Sequence, residues 1–92
     1  MEFEILLVDD EEKLTSVLSQ FFMEKGYRVQ RAASGDEALA IMAKKPVDLI
    51  ILDLQMPGLP GEEVLKQVKT KTPQVNVVVL TAYPDREQAV RT

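Results

Sequence analysis

The stretch that decides the fold is an apolar run that ends at a carboxylate and leads into a Pro-Gly loop. It reads Asp48-Leu49-Ile50-Ile51-Leu52-Asp53-Leu54-Gln55-Met56-Pro57-Gly58. A short apolar run bounded by turn residues is typical of a parallel strand that is buried on both faces. Open α/β sheets bind ligands beyond the carboxyl ends of such strands. We therefore predict that Asp53 stands at a ligand-binding edge of a sheet.

Predicted strands and helices alternate along the rest of the chain. Three more runs are typical of strands, and they cover Glu4–Val8, residues 27–33 and residues 75–80. The run over 27–33 has one solvated side, as expected at a sheet edge. Apolar residues at helical spacing follow each of the first three strands in chain order. These stripes are Leu14, Val17, Leu18, Phe21 and Phe22; then Ala38, Leu39, Ile41 and Met42; then Val64, Leu65 and Val68.

Turn and cap residues separate these segments. Ser34 is predicted to cap the second helix, and Gly26, Pro46 and Pro73 to end the three helices. A fourth helix is predicted to begin over residues 85–91. Four alternating units favour one doubly wound α/β domain, with a parallel sheet and helices on both faces.

Composition excludes several classes of protein. The 92 residues are 46% apolar and 28% charged, as in one small globular domain, and contain no Cys and no His. A thiolate metal site, a disulfide framework and a histidine base are therefore excluded. The net charge of −4, with Lys44-Lys45 as the longest basic cluster, argues against direct nucleic-acid binding. No signal peptide or membrane span is predicted, and we expect a cytoplasmic location.

Polar residues end three of the predicted strands. They are Asp9-Asp10, Asp53 and Thr81. Taken singly, each is more simply interpreted as a helix cap or a solvated loop residue. A parallel sheet gathers its strand ends along one edge, however, and the combination favours a site. Carboxylates crowded together repel, and either protonation or a hard cation such as Mg²⁺ relieves this. Such a metal would neutralise an incoming phosphoryl group while a nearby carboxylate attacks phosphorus.

The ordered set of motifs resembles the receiver domain of two-component response regulators. The matching motifs are Ile5-Leu6-Leu7-Val8-Asp9-Asp10, Ser34-Gly35-Asp36-Glu37-Ala38-Leu39, Asp53-Leu54-Gln55-Met56-Pro57-Gly58 and Leu80-Thr81-Ala82-Tyr83. The resemblance implies a flavodoxin-like, doubly wound fold with strand order 2-1-3-4-5. It also implies that Asp53 accepts a phosphoryl group from a sensor histidine kinase, a phosphotransfer protein or a small phosphodonor. Such a domain is a signalling module and not an enzyme with turnover.

The resemblance also assigns roles within the site. It implies that Asp10, Asp53 and the backbone carbonyl of Gln55 bind Mg²⁺, with Asp9 acting directly or through water. The Thr81 hydroxyl and the Ala82 amide would meet the phosphoryl oxygens. Gln55 and Tyr83 lie where family members tune the access of hydrolytic water. An equally good interpretation is that both are exposed loop residues with no effect on hydrolysis.

The chain departs from the family at its carboxyl end. A receiver domain continues into a fifth strand, which ends in Lys-Pro, and then into a fifth helix. After the fourth predicted strand, this sequence offers no candidate for that lysine. Lys66, Lys69 and Lys71 are assigned to the solvated face of the third helix. We therefore expect one truncated receiver domain over residues 1–92, with strand order 2-1-3-4 and impaired switching.

Three alternatives follow from the same residues. The predicted strand over 75–80 is apolar and has no later partner, which favours an interaction module that forms a homodimer or exchanges C-terminal elements. A Mg²⁺-dependent phosphohydrolase with an aspartyl nucleophile is disfavoured, because such enzymes commonly place a second acid where this chain has Gln55. A flavodoxin-like cofactor binder is disfavoured because acids line the edge that would bind phosphate.

Overall fold

The computed structural model describes residues 3–56 and 58–80, which form four strands and three helices. The strands are β1 (Glu4–Val8), β2 (Arg28–Ala32), β3 (Leu49–Asp53) and β4 (Asn76–Leu80). The helices are α1 (Glu12–Glu24), α2 (Gly35–Lys44) and α3 (Gly61–Lys71). Each predicted element within the described residues is present, while the predicted fourth helix over 85–91 lies outside them.

All four strands are parallel, and their order in the sheet is β2-β1-β3-β4. This confirms the predicted α/β fold and the predicted order 2-1-3-4. β2 lies at one edge, as its half-solvated sequence indicated. Within the described part of the chain, no helix is both long and apolar enough to cross a membrane.

The register brings the carboxyl ends of the strands level with one another. Val8, the last residue of β1, pairs with Ala32 of β2 and with Leu52 of β3. Asp53 in turn pairs with Leu80, the last residue of β4. The residue after Val8 therefore stands level with Asp53, which is the arrangement the sequence predicted for the acidic edge.

Alternate residues of the strands build two core layers, because successive side chains point to opposite faces of a sheet. Leu6 and Val8 belong to the larger layer, together with residues of α2 and α3 such as Ala38 and Val64. Ile5 and Leu7 face the other way; they share their layer with Ile51, and Leu18 and Phe22 of α1 pack against it. Because β1 is covered on both faces, all of its residues are buried.

The apolar stripe predicted on α1 is only partly buried. Leu18 and Phe22 pack on the sheet, but Val17 and Phe21 are 65% and 52% exposed. Within the described residues α1 is the only helix on its face of the sheet, so one helix covers a narrow strip and the flank of the stripe remains outside it. The helical period was correct, and the width of the buried face was overestimated.

The predicted caps are confirmed for α2. The Ser34 hydroxyl accepts a hydrogen bond from the Glu37 N–H at 3.1 Å, which satisfies one of the free donors of the first turn. α3 begins at Gly61, a residue that the sequence placed in the preceding loop. This small shift matters for the site, because it places a helix start directly beyond Asp53.

Candidate functional site

Three carboxylates meet at the carboxyl edge of the sheet. β1 delivers Asp9 and Asp10, and β3 ends with Asp53. Each residue offers one carboxylate oxygen, and these oxygens all lie within 4.8 Å of one another. Asp53 is 4% exposed, Asp9 is 9% exposed and Asp10 is open to solvent. The cluster therefore has a buried base and one accessible side.

Asp9 is oriented by the backbone that follows it. Its Oδ1 accepts a hydrogen bond from the Glu11 N–H at 2.9 Å, and its own N–H donates to the Ala32 carbonyl at 3.0 Å. The N-cap of α1 is Glu11, and no side chain caps this helix. Asp9 thus precedes the N-cap of α1 and is not itself the cap of that helix.

Asp53 is oriented by the same kind of backbone hydrogen bond as Asp9. Its Oδ1 accepts a hydrogen bond from the Gln55 N–H at 2.9 Å, two residues further along the chain. A side chain that bonds its own backbone two residues on forms a tight turn and fixes its own rotamer. Asp9, which follows β1, and Asp53, which ends β3, are therefore each oriented by a backbone N–H two residues further along the chain.

The electrostatics of the cluster are those of uncompensated like charges. Burial raises the pKa of Asp9 above its ordinary value of 3.8, and the negative charge of Asp53 raises it further. The hydrogen bond from the Glu11 N–H acts in the opposite direction. Among residues 3–56 and 58–80, the ion pairs involve Glu4 and none reaches these three carboxylates. A cation from outside the protein would therefore lower the free energy of the charged cluster.

A cleft of about 330 Å³ opens beside Asp9 and Asp10. Thr15 and Arg31 contribute to its walls. Sequence reasoning missed both residues. Thr15 is buried and its hydroxyl donates to the Glu12 carbonyl at 3.1 Å, so it interrupts the apolar face of α1. Arg31 reaches this edge because β2 pairs with β1, which only the strand order could have revealed.

Four of the predicted site residues lie within the described part of the chain, and three lie outside it. Asp9, Asp10 and Asp53 come together, and the Gln55 N–H joins them through Asp53. Thr81, Ala82 and Tyr83 lie outside the described residues.

The lysines of α3 lie on its solvated face, as predicted. All three are exposed, but Lys69 Nζ also donates to the Val75 carbonyl at 2.9 Å, so this lysine ties α3 to the start of β4.

The family model for the response regulator receiver domain matches residues 5–92. The chain belongs to this family. Receiver domains are signalling modules of two-component systems. The match to the family model confirms the family that the sequence motifs indicated. The domain is also similar in sequence to sporulation initiation phosphotransferase F of Bacillus subtilis, with 39% identity over 90% of this chain and 67% of that protein.

Solved receiver domains share the fold. A CheY-like receiver domain protein from Methanospirillum hungatei superposes with a TM-score of 0.89 at 28% identity, covering 98% of this chain and 72% of the other. The response regulator TrrA of Thermotoga maritima, solved in complex with Mg²⁺-BeF, gives a TM-score of 0.85 at 36% identity, over 96% of this chain and 76% of TrrA.

TrrA was also solved in complex with the histidine kinase ThkA. In that structure its TM-score to this chain is 0.83 at 38% identity, over 90% of this chain and 71% of the other. Several longer relatives are transcriptional regulators. This chain spans 18% of one such regulator from Cupriavidus necator and 37% of one from Bacillus subtilis.

Proposed function

We propose that this receiver domain takes up a phosphoryl group on Asp53 with the help of Mg²⁺. The observation that carries the proposal is the cluster of three carboxylates within 4.8 Å, two of them nearly or fully buried. Such a cluster is costly without a cation, and it sits at the edge where α/β sheets bind ligands.

The donor set fits a hard divalent cation. All three side chains offer carboxylate oxygens, the ligand type that Mg²⁺ prefers, and the exposed side of the cluster leaves room for the water that this ion retains. Asp10, Asp53 and the Gln55 backbone carbonyl would hold the ion, with Asp9 binding directly or through water. When bound, the ion supplies positive charge beside the incoming phosphoryl oxygens.

The chain's own groups would carry the rest of the reaction. An Asp53 carboxylate oxygen attacks phosphorus, an O–P bond forms, and the bond to the donor breaks with its electron pair leaving on the donor. The Gln55 N–H holds Asp53 Oδ1 at 2.9 Å and so limits its rotation. The Thr81 hydroxyl and the Ala82 amide are proposed to meet the phosphoryl oxygens. Positioning and charge balance, rather than a general base, govern such a transfer.

The proposed donor is the phosphohistidine of a sensor histidine kinase or of a phosphotransfer protein. Support comes from TrrA, which is similar in fold and sequence and was solved with the kinase ThkA. A small acyl phosphate is proposed as an alternative donor.

We propose a cytoplasmic site of action and no turnover of external substrates. We also propose that residues 1–92 belong to one domain.

The decisive experiment is incubation of the chain with a small acyl phosphate and Mg²⁺, followed by mass spectrometry of the intact protein and its peptides. We expect one phosphoryl adduct on Asp53, and none in Asp53→Asn or when Mg²⁺ is removed by a chelator. An adduct on any other residue would count against the assignment.

The exposed side of β4 favours a second function. β4 pairs only with β3 within the described residues, and Val78 is 46% exposed. An open apolar edge invites pairing with another chain. We therefore also propose a homodimer, or an exchange of C-terminal elements, through this edge. Light scattering at high concentration would show a dimer; a monomer whose unfolding does not depend on concentration would contradict this second proposal.

A further inference from the structure

The loop between β3 and α3 follows Asp53 directly and carries Gln55. Residues 54–56 and 58–60 of this loop are described. The Gln55 N–H that orients Asp53 belongs to it, as does the carbonyl proposed to bind Mg²⁺. Displacement of the loop would therefore change the geometry of the site, even where no carboxylate is altered.

Gly61, the first residue of α3, packs directly against the end of β3. Gly61 is buried, and a Cβ atom placed on it would lie 2.6 Å from the Leu54 Cα and 2.9 Å from the Asp53 carbonyl oxygen. Both are backbone atoms, which cannot rotate out of the way. Any larger residue at position 61 would therefore displace either the start of α3 or the backbone that carries Asp53.

Gly35, the first residue of α2, packs against the same loop and against α3. A Cβ atom placed on Gly35 would overlap Val64 Cγ2 and would lie 3.2 Å from Leu59 Cδ2. Val64 is completely buried, and close-packed interiors absorb extra volume poorly. Leu59 belongs to the β3–α3 loop. α2 thus supports this loop although it contributes no carboxylate to the site.

Close approach, rather than backbone conformation, explains why glycine occupies these two positions. Glycine is a poor helix former, and neither Gly35 nor Gly61 has a positive φ angle. A larger residue could adopt the backbone angles at either position, but its side chain would have no space. The two glycines are therefore required by what they touch, and both touch the loop or the strand end beside Asp53.

We propose that Gly35 and Gly61 are positioning residues of the acidic site. By offering no Cβ, they let the starts of α2 and α3 hold the β3–α3 loop where it sets the orientation of Asp53 and the place of Gln55. The proposal rests on the proposed function, because it assigns these glycines a role in Mg²⁺ binding and phosphoryl uptake at that same site.

The test compares Gly35→Ala and Gly61→Ala with the control Gly26→Ala. Gly26 has φ +96°, and no atom lies within 4 Å of a Cβ placed on it, so alanine there strains the backbone without pressing on any neighbour. Two properties are measured at a temperature where circular dichroism shows each variant to be folded. They are the hydrogen-exchange rate of the Gln55 N–H without metal, by NMR, and the dissociation constant for Mg²⁺ alone, by calorimetry.

We expect Gly35→Ala and Gly61→Ala to speed exchange of the Gln55 N–H and to weaken Mg²⁺ binding by about 10-fold, the size seen for residues that orient metal ligands. Gly26→Ala should leave both properties at their wild-type values. Where Gly35→Ala does not fold, Leu59→Ala removes the same contact from the loop side, and its partly exposed side chain makes unfolding a smaller risk. We expect Leu59→Ala to change both properties in the same direction.

A rescue experiment separates positioning from a general loss of stability. Val64→Ala removes the methyl group that a Cβ on residue 35 would overlap. The double variant Gly35→Ala/Val64→Ala should therefore bind Mg²⁺ more tightly than Gly35→Ala, although Val64→Ala alone costs stability by opening a cavity.

Unchanged Gln55 exchange and unchanged Mg²⁺ affinity in Gly35→Ala and Gly61→Ala would overturn the inference. Failure of the proposed function has a different outcome, since the wild-type chain would then bind no Mg²⁺ and take up no phosphoryl group. The Gln55 exchange rates would still decide whether the two glycines hold the loop.

Discussion

The two ends of β1 each carry an acid with little exposure, and their surroundings are opposite. At the start of the strand, Glu4 is 7% exposed, and its Oε1 lies 3.6 Å from Arg28 Nε and 3.4 Å from Lys45 Nζ. Gln30 Nε2 also donates to Glu4 Oε2 at 3.5 Å. Beyond the carboxyl end of the strand, Asp9 lies beside two more carboxylates, those of Asp10 and Asp53. Two cationic side chains of the protein lie beside the Glu4 carboxylate, whereas no ion pair among the described residues reaches Asp9.

The difference separates an acid with a structural role in this domain from one for which we propose a functional role. Glu4 joins β2 to the end of α2 through its two cations, and the backbone N–H of Glu4 donates to Asp48 Oδ2 at 2.7 Å. At that end of the sheet, the Glu4 carboxylate and the Glu4 N–H both have partners within the protein. The Asp9 end keeps like charges close together at a cost in stability, which is typical of a site built for a ligand.

The largest expected effect comes from removing a charge at the Asp9 end. We expect Asp10→Asn to weaken Mg²⁺ binding by at least about 100-fold, the upper end of the effects known for residues that only orient metal ligands, because this variant removes a proposed ligand. Asp10 is exposed, so the variant should fold. Calorimetric titration with Mg²⁺ measures the change.

The matched control for this variant lies at the other end of the same strand. Glu4→Gln also removes one negative charge, with nearly the same side-chain shape, and should leave the affinity for Mg²⁺ unchanged. Equal losses of affinity in the two variants would show that the net charge of the domain, and not the cluster, attracts the ion.

The second prediction reverses the comparison and concerns stability. Glu4→Ala removes the carboxylate that pairs with Arg28 and Lys45. The substitution should lower the free energy of unfolding by about 1–2 kcal/mol. The value is modest because the Arg28 and Lys45 side chains are 54% and 48% exposed, and water screens such pairs. Urea unfolding measures the loss. Phosphorylation of the folded fraction should be unaffected, and a loss of labelling in that fraction would break the distinction between the two ends.

Sequence reasoning predicted the fold and the clustering of the three acids because both depend on local patterns. The apolar run before Asp53, the stripe on α3 and the Ser34 cap each have a short-range signature, and alternating units allow few topologies. Since parallel strands end together, Asp9, Asp10 and Asp53 could be brought to one edge without coordinates.

The features that escaped sequence reasoning depend on contacts between distant segments. Nothing local indicates that Gly35 touches Leu59 and Val64, or that Arg31 reaches the cleft beside Asp9. The exposure of Phe21 was also missed, because helical spacing gives the direction of an apolar stripe but not the width of the surface that covers it.

The third prediction uses Mg²⁺ as the missing counter-charge. A ligand that binds only the folded state stabilises it, by about 1.4 kcal/mol at a free concentration ten times the dissociation constant. Urea unfolding with and without Mg²⁺ should show this increase in the wild-type chain and in Glu4→Gln, but not in Asp10→Asn at the same concentration. An equal increase in all three proteins would mean that the ion acts elsewhere on the surface.

The smallest effect is a pH dependence that arises at the Asp9 end. Burial and the neighbouring charge of Asp53 raise the pKa of Asp9 in the folded protein, while in the unfolded chain it stays near 3.8. Between these two values the folded state holds more protons than the unfolded state. The contribution of Asp9 to stability is therefore fully present below pH 3.8 and declines as the pH rises through the folded-state pKa.

Comparing the wild-type chain with Asp9→Asn isolates this contribution from that of other acids. Without Mg²⁺, the wild-type chain should lose stability relative to Asp9→Asn as the pH rises above 3.8, as measured by urea unfolding at a series of pH values. With saturating Mg²⁺ the trend should reverse, because the ion favours the charged carboxylate and competes with the proton. A difference between the two proteins that stays constant with pH would contradict a raised pKa of Asp9 in the folded protein.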